Sequence, residues 1–167
     1  MKPSPRRPEP RRSTDPAAVA IRALRRAISS IQASGGTPDV ENRKRAHELL
    51  ERLADVPVAM LVANNQGRYV DANAAAVFLT GYQRRELLRC SVWDLTPASR
   101  LGTGEALWRA FLSRGRMAGR YRLRRKRGGI VEARYVAISN VLPGLHVSAL
   151  ATAALVKRFG GVKRATD

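Results

Sequence analysis

The residues able to carry covalent or metal chemistry are few: one cysteine, Cys90, and two histidines, His47 and His146, in a chain of 167 residues. A transition-metal site needs three or four such ligands brought together, and these three stand far apart with no ligand-type spacing, so no metal is expected. The sequence holds no nucleophile with an identifiable base and no phosphate-cradling glycine loop. It also offers no pair of carboxylates that can be singled out for acid/base work, so catalysis is not expected. His47 falls in a predicted helix and reads as a surface or half-buried residue. His146 falls in a strand, where a hydrogen bond to nearby Ser148 explains it. Cys90 follows Leu87-Leu88-Arg89 and reads as an inert buried thiol. A single cysteine cannot form an intramolecular disulfide, which fits a reducing, cytoplasmic compartment.

Arginine is the other chemically expressive residue. Lys and Arg number 31 against 13 Asp and Glu, a formal charge of +18. The charge is blocky: residues 1–38 carry eight bases against two acids, residues 101–151 ten against two, and residues 39–56 four against five. Such blocks attract polyanions or acidic partners at long range without defining a fold. Arg122, Arg124, Arg125, Lys126 and Arg127, with the arginines of the first residues, are the candidate phosphate contacts of a nucleic-acid-associated transcriptional regulator. Aromatic residues that could stack bases make up only 5%, so a solvated basic surface is the preferred reading.

The elements that position these residues follow from periodicity. Residues 1–15 combine Pro, Arg and Ser and read as a disordered basic arm. Asp15 and Pro16 then open a helix with Ala17, Ile21, Leu24, Ile28 and Ile31 at heptad-like spacings, ended by Gly35-Gly36. Two heptads do not form a stable isolated helix, so this stripe must pack on its own domain, a second copy or a membrane surface, in that order of preference. A second helix runs from Thr37-Pro38 to about Ala54, anchored by Val40, Leu49, Leu50 and Leu53. Together they make a helical extension over 16–54.

From Pro57 the pattern becomes short strands and helices. Val58 to Val62 and Arg68 to Asp71 read as strands around the turn Asn64-Asn65-Gln66-Gly67. Short helices follow at Ala74–Thr80, Arg84–Leu88 and Val92–Leu95, and a longer one at about Gly104–Arg114. Strands at about Gly119–Arg125, Ile130–Ile138 and Leu145–Leu150 close a domain spanning 55–152, with 153–167 left as a tail. This order predicts an α+β fold, a five-stranded antiparallel sheet with short helices on one face, preceded by N-terminal helices. The opening residues lack the apolar run of a signal peptide. The uncharged stretch Tyr135 to Val156 is broken by Asn140, Pro143-Gly144 and His146, so no membrane span is expected.

Over about residues 46–152 the chain resembles a PAS domain. The pieces that match are LADVPVAMLVANNQGRYVDANAAAVFLTGY, RRELL, SVWDLTP, GRYRLRRKRGGIVEARYVA and LPGLHVSAL, in that order. The resemblance implies a five-stranded PAS-type sheet whose cavity binds a small ligand, haem or flavin, or is packed shut. It marks Asn73, Gly81 and Asp94 as structural positions, with the Asn73 amide tying a strand end to the helices that follow. It places Val77, Phe78, Tyr82, Trp93, Trp108, Phe111, Tyr135 and His146 around the cavity, which either takes a small apolar or aromatic ligand or is filled by these side chains.

Departures from the family narrow these implications. The Gly-x-Asn-Cys-Arg-type helix of its flavin photosensors is missing, and the long helix contains no histidine for a haem iron. No cofactor is therefore expected, and the protein should be colourless. Where members joined to kinases carry an Asp-Ile-Thr-like signal, this chain reads Ala151-Thr152-Ala153-Ala154. The expectation is that no effector domain is attached and that output passes to a signalling protein partner.

Strand alternation puts Tyr121, Leu123, Val131, Ala133, Tyr135 and Ala137 inward, and an arginine-rich outer face carrying Ile130, Val136 and Ile138 outward. That aliphatic line needs a cover. Ile21, Leu24 and Ile28 are expected to supply it, or to meet their counterparts in a homodimer. The composite expectation is a cytoplasmic, stand-alone sensor module that dimerises. The alternative is the nucleic-acid-associated regulator.

Overall fold

The computed structural model describes residues 16–28, 38–97 and 101–160. The basic arm with the Asp15 cap, Ile31, Gly35-Gly36 and Thr37 lie outside the described residues, as do the side chains of Ala17 and Ile28. Helices Pro16–Ile28 (α1) and Pro38–Arg52 (α2) come first. Strands Ala59–Ala63 (β1) and Tyr69–Ala72 (β2) follow, then helices Ala74–Thr80 (α3), Arg84–Leu87 (α4) and Leu101–Arg114 (α5). Strands Arg116–Arg124 (β3), Ile130–Leu142 (β4) and Leu145–Ala151 (β5) lead to a last helix, Ala153–Phe159 (α6).

The five strands form one sheet in the order β2-β1-β5-β4-β3, with every pairing antiparallel. Every residue of β1 is buried, because helices lie on both sides of the central strands. Alternation sorts its side chains: Met60 and Val62 join one apolar cluster, Ala59, Leu61 and Ala63 the other.

The first cluster belongs to the outer face. Leu24 and Ala27 of α1 and Ala46, Leu49, Leu50 and Leu53 of α2 pack there on Val147 and Ala149 of β5 and Val136 of β4. Ile21 and Ile138 add partly buried contacts. The aliphatic line of β4 is thus covered within one chain, and Arg22, Arg25 and Arg26 lie exposed off the α1 seam. Ile130 remains uncovered at 44% exposure. Each fully buried Leu or Val contributes roughly 1.5–3 kcal/mol, enough to hold a helix that would not persist alone.

Four expectations are corrected. Val40 is 62% exposed and anchors nothing. It stands nine residues before Leu49, which at 3.6 residues per turn is the opposite side of the helix, and Ala46 takes the buried place instead. Residues Val92–Leu95 form turns rather than a helix, with Asp94 N–H bonded to Ser91 C=O and Thr96 N–H to Trp93 C=O. Strand β4 continues past Ile138 to Leu142 through an irregularity in its pairing with β5, where Asn140 adopts φ 49°. The first residues of the expected tail are helix α6, whose first turn is capped by Thr152 Oγ1 accepting from Leu155 N–H.

Candidate functional site

The second apolar cluster lies between the inner face of the sheet and helices α3 to α6. At the end of the sheet nearest the β1–β2 turn it gives way to a group of aromatic rings around His146. Trp108 and Phe111 reach it from adjacent turns of α5. The Trp108 ring stands perpendicular to Trp93 at 5.9 Å and to His146 at 5.6 Å, and lies 5.3 Å from Phe111. Phe111 in turn meets His146 at 6.0 Å. Edge-to-face contacts at these separations are favourable, so the rings fill this part of the interior themselves.

His146 is 2% exposed, and both its nitrogens are paired. Nδ1 accepts from Asn140 N–H at 2.9 Å, which leaves the proton on Nε2 to be donated to Asn65 Oδ1 at 2.8 Å. Trp108 Nε1–H donates to the Asn65 carbonyl at 2.9 Å. One asparagine of the β1–β2 turn therefore ties together β5 and α5, while the β4 irregularity aims Asn140 at the ring. Burial lowers the pKa of His146 and keeps it neutral. The expected Ser148 bond is thus replaced by partners on two other elements. Residues 146 and 148 share a sheet face but stand a full pleat repeat apart, whereas the left-handed backbone at Asn140 brings an N–H within reach.

Tyr135 faces Tyr121 at 5.7 Å in a neighbouring aromatic pair. Thr96 Oγ1–H donates to Val92 C=O, so Tyr121 O–H is the donor in its 2.8 Å bond with Thr96. Val77 and Tyr82 border the same cluster, half-buried. Phe78 does not belong to the cavity: it is 39% exposed and packs at 5.9 Å on Phe159 of α6, under the Arg158 guanidinium. Its neighbours Ala76 and Leu79 take the inward face of α3.

The three structural positions each close a local hydrogen-bond requirement. Asn73 Oδ1 accepts from Ala76 N–H, capping α3, and from Met60 N–H, while Nδ2–H donates to Val58 C=O. Gly81 ends α3 in the left-handed conformation at φ 77°. Asp94 Oδ2 accepts from the N–H and hydroxyl of Ser91.

Two open clefts flank this interior. One, of about 400 Å³, lies beside Trp93 and Trp108 and is bordered by Asn65, Gln66, Glu105, Arg109 and Leu112. The other, of about 680 Å³, runs along the outer side of β4 and β5 to α6. Among the described residues no group of three or more His, Cys, Asp or Glu is placed to hold a metal ion, and no helix is long and apolar enough to cross a membrane. Cys90 is half-buried, its thiol pKa raised by burial and then by the Asp94 and Glu86 charges. The basic hairpin residues are all exposed. Three of them bind the domain itself: Arg124 donates to Asp94 C=O, Arg125 to Phe78 C=O and Lys126 to Glu86.

An antiparallel sheet in the order 2-1-5-4-3, with three short or medium helices between its second and third strands and aromatic rings against its inner face, defines the PAS class of α+β domains. The chain belongs to the PAS-fold family, whose sequence profile matches residues 53–143. No curated protein matches the chain. Among solved structures it is similar to a domain of a sensory box sensor histidine kinase/response regulator from Geobacter sulfurreducens, at 20% identity over 70% of this chain and 100% of that one, TM-score 0.54. A PAS domain from Colwellia psychrerythraea is similar at 18% identity over 64% and 94%, TM-score 0.54. The PAS domain, in complex with ethanol, of a transcriptional regulator in the LuxR family from Burkholderia thailandensis is similar at 14% identity over 62% and 96%, TM-score 0.51.

Sequence reasoning named Trp93, Trp108, Phe111 and His146 but missed Asn65 and Asn140, which hold the histidine. Asn65 was legible only as a turn residue, and nothing in the strand pattern marks the irregularity that aims the Asn140 N–H at the ring.

Proposed function

We propose that the chain is a sensory PAS module of signal transduction that takes a small apolar or aromatic molecule beside Trp93 and Trp108 and passes its state to a protein partner. The observation that carries this reading is the position of Trp108. Its ring borders the 400 Å³ cleft, and its indole N–H bonds Asn65, which also holds His146 of the central strand. A molecule that displaces the Trp108 ring thereby disturbs a junction of α5, β5 and the β1–β2 turn. The ethanol held by the similar Burkholderia domain supports a small-molecule role for this fold.

The reading involves neither catalysis nor a haem or flavin cofactor: α5 has no histidine, and the pKa of the half-buried Cys90 thiol is raised, first by burial, which disfavours the thiolate. It retains the homodimer with a narrower motive, since Ile130 alone of the outer aliphatic line is left exposed. The self-contacts of Arg124, Arg125 and Lys126 favour a protein partner over nucleic acid. The test is a titration with indole and with ethanol, followed by tryptophan fluorescence and by amide NMR shifts of Asn65 and Asn140. Saturable shifts at both amides, lost in Trp108→Ala, are expected. Shifts that neither saturate nor depend on Trp108 would overturn the reading.

A further inference from the structure

The outer face of the sheet changes character within one strand. Helix α1 covers it as far as Val136, and the next residue on the same face, Arg134, is exposed. Arg134 pairs across the sheet with Arg120 on one side and Ala151 on the other. Beyond Ala151 the chain turns at Thr152 into α6, which buries Leu155 and packs Phe159 against the inner cluster. The opposite side of that helix presents Val156 and Lys157 to solvent, with Val156 42% exposed. The result is the open 680 Å³ groove, with a floor of small side chains and cations at its edges.

We infer that this groove docks an acidic, extended segment of a protein partner, carrying aliphatic residues between its carboxylates. The inference rests on the reading of the chain as a module with output through protein contact, and names the surface. Charge sets the sign of the occupant: among the described residues Arg120, Arg134 and Lys157 line the groove against one carboxylate, Glu132, which pairs with Arg120 at 3.4 Å. The floor sets its kind. Ala151, Ala153 and Val156 give a shallow apolar bed that fits a Leu- or Val-sized side chain. Among the described residues no aromatic ring lines the groove to stack a base, and Glu132 would face any phosphate run, so nucleic acid fits it less well. Partner carboxylates over Arg134 and Lys157 would be partly desolvated, where charge-assisted bonds are strongest.

The test is fluorescence polarisation of a labelled decapeptide of alternating Glu and Leu, at 0.15 M salt. Three proteins are compared: the unmodified chain, Arg134→Glu with Lys157→Glu, and Arg125→Glu with Arg127→Glu at the hairpin tip. The last two change net charge equally, so they separate the groove from general attraction. The groove pair is expected to weaken binding roughly tenfold or more, and the tip pair less than about threefold. A single-stranded DNA 12-mer should not displace the peptide. Equal losses in both pairs, no binding by the unmodified chain, or displacement by DNA that follows the groove pair would each overturn the inference. Melting curves check folding; if the groove pair is unfolded, Val156→Ala with Lys157→Ala replaces it, set against the charge-matched Arg127→Ala at the tip under the same criteria. Indole titration of the same proteins keeps the readings distinct: indole binding without peptide binding sinks the groove alone, and peptide binding without indole binding sinks the Trp108 cleft alone.

Discussion

His146 can accept from Asn140 N–H only while its Nδ1 carries no proton. The groups it touches, Asn65, Asn140, Trp108 and Phe111, are all uncharged, so nothing offsets the cost of an imidazolium there. Its folded pKa is therefore depressed, while in the unfolded chain it titrates near 6.5. Above that pH both states are neutral and the histidine contributes no slope. As pH falls below 6.5 the unfolded chain binds the proton first, and stability drops by up to about 1.4 kcal/mol per pH unit until the folded pKa is passed. Denaturant midpoints measured from pH 7.5 to 4.5 should show this fall. The profile should be flatter in His146→Gln, whose amide can accept from Asn140 and donate to Asn65; parallel profiles would assign the acid sensitivity elsewhere. Asn73 offers a second test at this scale. Asn73→Ala deletes a helix cap and leaves Met60 N–H and Val58 C=O without their partner, which should cost about 2–4 kcal/mol in chemical unfolding. Asn73→Asp keeps both accepted bonds and loses only the donated one, so it should cost less. What the sequence disclosed of the site followed the same division. Aromatic residues and a strand histidine announce themselves by type, but the asparagines that fix them depend on a backbone irregularity and a turn geometry that no residue type encodes.

At the scale of elements, strands were read to within a few residues because two-residue alternation is a local signal. Leu123, Ala133 and Tyr135 indeed point inward, and Arg120, Arg122 and Arg134 outward. Helices were read less well where packing decides their fate. Val40 looks like an anchor in composition but lies half a turn from Leu49. Helix α6 reads as tail from sequence because its signal is short: a Thr cap, then Leu155 and Phe159 four residues apart, which matter only once α3 provides a surface. Helix α1 tests the packing account. The sequence left open whether its stripe meets a sheet face or a second chain, and Leu24 is buried on the face formed by β4 and β5. Leu24→Ala should therefore destabilise the domain by about 2–5 kcal/mol and lower its melting midpoint. Sedimentation velocity should show the same mass before and after the substitution. A change of mass with an unchanged midpoint would move this contact to an interface between chains.

The whole molecule carries +18 charges on 167 residues, and two opposite effects of salt follow. Screening relieves repulsion among like charges packed together in the folded state, which stabilises it; screening also weakens ion pairs, which destabilises it. The inventory of pairs decides which is larger. Arg109–Glu105, Arg120–Glu132 and Lys126–Glu86 have exposed or half-exposed partners, and pairs of that kind contribute about 0–1 kcal/mol each. The buried carboxylate of Asp71, held by Arg84 at 2.7 Å with His47 at 3.4 Å, and the largely buried Arg45–Glu41 pair at 2.8 Å are sheltered from solvent and screened much less. Against these attractions among the described residues stands a large excess of cations, with β3 alone presenting Arg116, Arg120, Arg122 and Arg124 on one face. Repulsion relieved should exceed attraction lost. The melting midpoint is expected to rise by several degrees as sodium chloride increases from 20 to 300 mM, a range in which the screening length shrinks to about the spacing of neighbouring surface charges. Replacing Arg122 and Arg127 by Glu should shrink that rise, because it removes cations from the crowded hairpin and adds partners for those that remain. A midpoint that falls with salt would mean that ion pairs, and not burial against a repulsive background, dominate the electrostatics of this fold.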